Sequence, residues 1–282
     1  MRLCCLIGLL SLPFLSLAQT TTPPIPEPLS AQTIMERVAA NQDRSQALRK
    51  EFVYKQHIHI VTHKPGGKLM REESADYDVT PVADSTEKKL TLLTGKYWSK
   101  GKYLTFEGEP APEQDSLDGD FIHNFRNDLA NEKSKDGLAK NLFPLTSEEQ
   151  KEFEFQLLGQ ESQEGRSVYH IGFRPKDKKE ITWAGEAYID ATEFEPVRVF
   201  TKLSRRIPLM IRTLLGTDVP GVGFNVVYKR QEEGIWFPAS FGAEFRLRAL
   251  FFINREISVS LENSGFERTH VKSRMKVVGP VD

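Results

Sequence analysis

The run Phe241-Gly242-Ala243-Glu244-Phe245-Arg246-Leu247-Arg248-Ala249-Leu250-Phe251 places apolar side chains at every odd position. Gly242, Glu244, Arg246 and Arg248 stand between them. Successive side chains of a strand point to opposite faces, so this pattern predicts a long strand with one covered and one wet face. After a turn near Asn254, Ile257, Val259 and Leu261 alternate with Ser258, Ser260 and Glu262, which predicts its antiparallel neighbour.

Upstream the same grammar recurs. Phe52, Tyr54, Ile58 and Ile60 alternate with Lys55, His57 and His59, and Pro65-Gly66-Gly67 marks a turn before a returning strand over 68–79. Two short strands are expected at Leu90–Leu93 and Tyr97–Phe106, separated by Gly95-Lys96. Further strands are predicted at Phe153–Leu158, Val168–Phe173, Trp183–Ile189, Val197–Leu203 and Val226–Arg230. Asp190-Ala191-Thr192-Glu193 and Glu232-Glu233-Gly234 read as hairpin turns. Strands joined by short turns form an antiparallel meander, and ten or so of them curl rather than stay flat.

Helices are few. Ser30 or Thr33 caps an amphipathic helix that carries Ile34, Met35 and Val38 and ends near Leu48. Phe121, Ile122, Phe125 and Leu129 recur at helical spacing inside an insert at 107–150, and Thr146 with Glu149 forms a second capping box. The fold class expected is α+β: a strongly curved antiparallel sheet, an incomplete β-barrel. Its N-terminal helix and inserted helices cover the concave side.

The N-terminus sets the compartment. Arg2, an apolar run over Leu3–Leu17 and small residues Ser16 and Ala18 before Gln19 form a secretory signal peptide over 1–18. A Pro/Thr-rich linker follows over 19–29, then a single domain over 30–282. Both cysteines, Cys4 and Cys5, lie in the leader, so the mature chain has no disulfide. The expected location is the periplasm or the extracellular space. A net charge of −1 supplies no basic excess for nucleic acid, and no later run is apolar enough to span a membrane.

Two phrases carry a family resemblance. Gly185-Glu186-Ala187-Tyr188-Ile189-Asp190 is followed by Phe194-Glu195-Pro196-Val197-Arg198, and Gly234-Ile235-Trp236-Phe237-Pro238 comes later. With the element order, they resemble the outer-membrane lipoprotein carrier (LolA/LolB-like) superfamily of periplasmic proteins. The resemblance implies an apolar cavity under a helical lid that receives a lipid or an acylated lipoprotein, without catalysis. The chain departs from the compact carriers in its 107–150 insert and its longer C-terminal half.

On this reading Trp183, Trp236, Phe245, Leu247, Phe251, Val259 and Leu261 line the cavity. The stretch 205–216 interleaves Met210 and Leu214 with Arg206 and Arg212, and reads as a flap whose arginines meet an anionic headgroup. It also reads, as apolar stripes more often do, as a core-packed connection with solvated arginines. The alternative function is an envelope interaction or sensor module with a filled core and a protein partner.

Enzymatic signatures are absent from the sequence: there is no P-loop, zincin helix or nucleophile elbow. No cofactor and no metal site is expected. His57 and His59 share a strand face two residues apart, but no carboxylate is fixed beside them by local spacing.

Overall fold

Strand β1 (Phe52–His63) buries Phe52, Gln56, Ile58, Ile60 and Thr62 and leaves the intervening side chains at least partly exposed. That two-residue period is what a half-covered strand requires. The computed structural model describes residues 29–82, 85–110, 117–130, 143–178, 182–204, 217–218, 223–231, 234–249 and 253–269. The expected leader, the expected linker up to residue 28 and the stretch 205–216 expected as a flap lie outside the described residues.

Helix α1 (Ala31–Arg49) precedes β1. Then come β2 (Leu69–Val82), β3 (Ser85–Ser99), β4 (Lys102–Glu107) and helix α2 (Leu117–Ala130). A 3-10 turn at Glu149–Glu152 leads into β5 (Phe153–Gln163), β6 (Arg166–Pro175), β7 (Trp183–Asp190) and β8 (Pro196–Leu203). The short β9 (Thr217–Asp218), β10 (Gly223–Arg230), β11 (Trp236–Ala249) and β12 (Ile253–Arg268) complete the chain.

Eleven strands form one hydrogen-bonded path, β4-β3-β2-β1-β12-β11-β10-β8-β7-β6-β5, and β9 pairs with β11 beside it. Every pairing is antiparallel. The first and last strands meet in the interior of the sheet, with Ile58 opposite Leu261 and Ile60 opposite Val259.

Local chemistry explains most boundaries. Ser30 caps α1, its Oγ accepting the Thr33 N–H at 3.1 Å. Gly66 and Gly67 hold φ of 93° and 85° in the β1–β2 turn, a conformation that glycine adopts without steric cost. The Thr146–Glu149 box forms reciprocally: Thr146 N–H donates to Glu149 Oε2 at 3.0 Å, and Glu149 N–H donates to Thr146 Oγ1 at 3.4 Å.

One turn falls elsewhere than its sequence suggests. Gly95-Lys96 does not end a strand; β3 runs through it to Ser99, and Lys100-Gly101 makes the turn with φ of 47° and 88°. Gly95 is instead a clearance. A Cβ there would lie 2.4 Å from the Glu72 carbonyl oxygen and 2.4 Å from Phe106 Cζ, so the Phe106 ring lies over bare backbone. Helix α2 likewise begins at Leu117, inside the stretch Glu107–Asp120 whose two prolines and many acids predict a loop.

The covered face of the sheet and both helices share one apolar core. Ile34, Met35 and Val38 of α1 and Ile122 of α2 join Ile58, Ile60, Leu93, Ile171, Val199, Phe241, Val259 and Leu261. Polar ties fix α1: Gln42 and Ser45 donate to the Glu195 carboxylate at 2.5 and 3.3 Å, and Arg49 Nε donates to the Trp236 carbonyl at 2.8 Å. Burial raises the Glu195 carboxyl above its ordinary value, against the opposing pull of Arg49 and these hydrogen bonds.

Candidate functional site

The register brings most of the described residues expected at the site onto one inner face. Phe245 pairs with Ile257, Ala243 with Val259 and Phe241 with Leu261, so β11 and β12 contribute a continuous apolar strip. Ile257, Val259 and Leu261 are buried, as is Leu247. Beside this strip an aromatic series crosses β7, β10 and β11. Trp183 meets Phe224 edge-on with centroids 4.9 Å apart, and Phe224 stacks on Phe241 at 5.2 Å. Trp183, Phe224 and Phe245 are only partly buried, unlike the strand residues deeper in the core.

Trp236 stands apart, at the opposite end of β11. Its indole N–H donates to Glu193 Oε2 at 3.0 Å and its ring packs under the Arg166 guanidinium. These contacts tie the β7–β8 hairpin to β11. Arg206, Met210, Arg212, Leu214 and Phe251 lie outside the described residues.

Helix α2 lies over β1 and β2 on the inner face and reaches the end of β11 and the start of β12 through single side chains. Phe125 packs on Phe245 with ring centroids 6.0 Å apart. Asp118 and Arg255 form a two-pronged pair, Nε to Oδ1 at 2.6 Å and Nη2 to Oδ2 at 2.8 Å. Planar charge-assisted bonding of this kind fixes orientation as well as distance.

A third attachment carries charge into the interior. On β2, Arg71 and Glu73 point inward, opposite Thr62 and Ile60 of β1. Arg71 is 1 % exposed and Glu73 is 2 % exposed. Arg71 Nε donates to Glu73 Oε1 at 2.7 Å, and its guanidinium lies between the rings of Tyr97 and Phe106, 5.5 and 5.1 Å from their centroids. The bare Gly95 backbone is what lets Phe106 take that position.

Arg126 of α2, 2 % exposed, enters the same cluster. Its Nη2 donates to Glu109 Oε1 at 2.7 Å and reaches His123 Nδ1 at 3.1 Å. Its Nε lies 3.8 Å from Glu73 Oε2, an ion pair without a hydrogen bond. Arg126 Nε, Arg126 Nη1 and Glu73 Oε2 are buried with no hydrogen-bond partner. Most buried polar groups are satisfied, so three orphaned atoms in one cluster mark the site.

The sequence held a signal for this cluster that alternation alone passes over. Arg71, Glu73, Ala75, Tyr77 and Val79 occupy one face of a predicted strand, so two charges continue an apolar row. Arg126 falls four residues after Ile122, on the helix face that the Ile122-Phe125 stripe defines.

The strand histidines do not converge. His57 Nδ1 pairs with Asp76 Oδ1 at 2.6 Å and His59 Nε2 with Glu72 Oε1 at 3.0 Å, on separate carboxylates. Among the described residues no group of three His, Cys, Asp or Glu side chains is placed to hold a metal ion. Among them, too, no helix is long and apolar enough to cross a membrane. A cavity of about 20 Å³, room for about one water, lies between Arg49, Phe52, Tyr54, Phe237 and Asn263. An open groove of about 190 Å³ runs along β5–β7 around Gly172.

No protein-family model matches the chain, and no curated protein matches it either. Solved structures do. The structure is similar to LolA-superfamily proteins. The LolA superfamily protein NE2245 of Nitrosomonas europaea shares 11 % identity and a TM-score of 0.34, over 86 % of this chain and 96 % of that one. An outer membrane lipoprotein-sorting protein domain from Vibrio parahaemolyticus shares 12 % identity and a TM-score of 0.37, over 88 % and 95 %. A DUF1329 family protein from Desulfovibrio piger shares 13 % identity and a TM-score of 0.41, over 87 % and 95 %.

Proposed function

We propose that the protein is an exported, non-catalytic carrier that takes the acyl chain of a lipid or lipoprotein between α2 and the inner face of a strongly curved, incompletely closed sheet. The observation that carries this reading is how α2 is attached. Besides the buried Ile122, it reaches the apolar β11–β12 strip through an aromatic contact, Phe125 on Phe245, and has polar ties at either side, Asp118–Arg255 and Arg126–Glu73. A permanent core helix gains nothing from orphaned charge in its interface; a cover that exchanges its contacts with a ligand does.

The physics of uptake is apolar transfer. Displacing α2 opens Phe245, Leu247, Ile257 and Val259, and each methylene that replaces water contact there contributes about 0.8 kcal/mol. Trp183 and Phe224 extend the strip toward the start of β7 and β10. The flap stretch joins β8 to β9, and β9 is fixed beside the end of β11 by Thr217 opposite Ala249.

Intrinsic fluorescence tests the reading. Titration with a chain-brominated fatty acid is expected to quench tryptophan emission, and Trp183→Phe is expected to remove most of that quenching. Trp236 is buried at the other strand ends, and Trp98 is engaged by Lys68 and Tyr103. Binding of the brominated chain with Trp183 unquenched would place the ligand elsewhere.

A further inference from the structure

Arg126 is only partly bonded under α2. Arg71 and Arg126 are two guanidiniums, Glu73 is one carboxylate, and all three are almost wholly removed from water. Glu109 supplies the second carboxylate, but it is half exposed and takes a single bond from Arg126 Nη2. Two nitrogens of Arg126, Nε and Nη1, are buried without an acceptor. Guanidinium has no accessible neutral form, so it cannot relieve the shortfall by losing a proton. It needs an acceptor from outside the described residues' own set.

The surroundings say what kind of acceptor fits. Arg126 follows Phe125, which packs on Phe245 at the apolar strip. A ligand whose chain lies on that strip therefore has its head at Arg126. Guanidinium nitrogens match the two oxygens of a carboxylate or a phosphate in planar, charge-assisted geometry. Glu73 Oε2, itself without a hydrogen bond, sets the position by repelling the anion from β2 toward the helix. We infer that Arg126 is the headgroup receptor of the site and that the ligand is an anionic amphiphile, a long alkyl chain ending in a carboxylate or phosphate. This rests on the carrier reading and narrows its ligand class.

The test compares chains that differ only in the head. Tetradecanoate and tetradecan-1-ol are each used to displace a fluorescent neutral alkyl probe from the full protein, with Arg126→Met and Arg126→Gln in parallel. Wild type is expected to hold the carboxylate at least tenfold more tightly than the alcohol. Both variants are expected to lose that preference while the alcohol's affinity stays within about twofold. Equal affinities in wild type, or a preference that survives in a folded variant, would overturn the headgroup inference and leave the carrier reading standing. Displacement by neither compound would remove the carrier reading and this one with it. Butyrate and inorganic phosphate form a third arm. Arg126-dependent binding of these with the same strength as tetradecanoate would mean a free-anion site and overturn the amphiphile.

Discussion

Arg126 Nε and Glu73 Oε2 lie 3.8 Å apart across the interface of α2 and β2, each on a side chain 2 % exposed, and neither atom makes a hydrogen bond. They attract without engaging. A helix–sheet contact built this way is held by charge and by the neighbouring apolar packing, and its polar atoms remain ready for another partner.

Removing the carboxylate takes away the charge that Arg71 meets at 2.6 Å and Arg126 at 3.8 Å. Glu73→Gln is expected to lower stability by about 3–5 kcal/mol, the usual cost of stripping one partner from a buried ion pair. Urea denaturation measures it. A loss below about 1 kcal/mol would show that water reaches the cluster.

Asp118 and Arg255 fasten the start of α2 to the start of β12. Asp118→Asn keeps the shape and removes the charge. Local opening of α2 is expected to become easier by about 1.5–3 kcal/mol, the worth of hydrogen bonds to charged groups. Amide exchange read over 117–130 should speed up, with the strands of the sheet unchanged. Uniform acceleration across the whole chain would mean that the pair supports the fold rather than the cover.

Gly95 has no room for a methyl group, because the Glu72 carbonyl oxygen is backbone and cannot swing away. Gly95→Ala is expected to cost about 1–3 kcal/mol through overpacking. It should also push the Phe106 ring off Arg71. Stability measured by thermal melting checks the first effect, and a changed Phe106 aromatic proton shift checks the second.

Lys88 lies beside Gln56, Nζ donating to its Oε1 at 3.0 Å, and burial pushes the ammonium down to about 8. The folded value is thus below the unfolded one of 10.5. Between these values the unfolded chain binds more protons, so this group makes stability rise as pH increases from about 8 to about 10.5. Below about 8 the charged amine is a fixed burden. Lys88→Met is expected to be more stable than wild type at pH 7, with the difference shrinking as pH rises through that window. Parallel urea titrations of the two proteins measure it, and a difference independent of pH would contradict the assignment.

Alternation made the strands legible. Phe241–Leu247 and Ile257–Leu261 fall on the covered face as their spacing requires, because a half-buried strand has no other way to arrange a two-residue period. Helix α2 was legible from Ile122 and Phe125 but not its start at Leu117, since Asp118 and Asp120 read as loop until Arg255 supplies a partner from 137 residues away in sequence. Gly95 was misread for a similar reason. A glycine followed by a lysine signals a turn locally, whereas its purpose here is to clear space for Phe106 from the next strand. The Arg71–Glu73–Arg126 cluster depends wholly on such non-local placement, so single-strand patterning passes over it.

As a carrier, the protein must have a ligand site and not a finished core under α2. Native mass spectrometry of the protein purified from a cell envelope without detergent, followed by solvent extraction, tests it most directly. The expected result is a stoichiometric mass increment that extraction identifies as a long-chain amphiphile. A clean apo mass, with no uptake of added fatty acid or lysolipid, would contradict it and direct the search to a protein partner for the same fold.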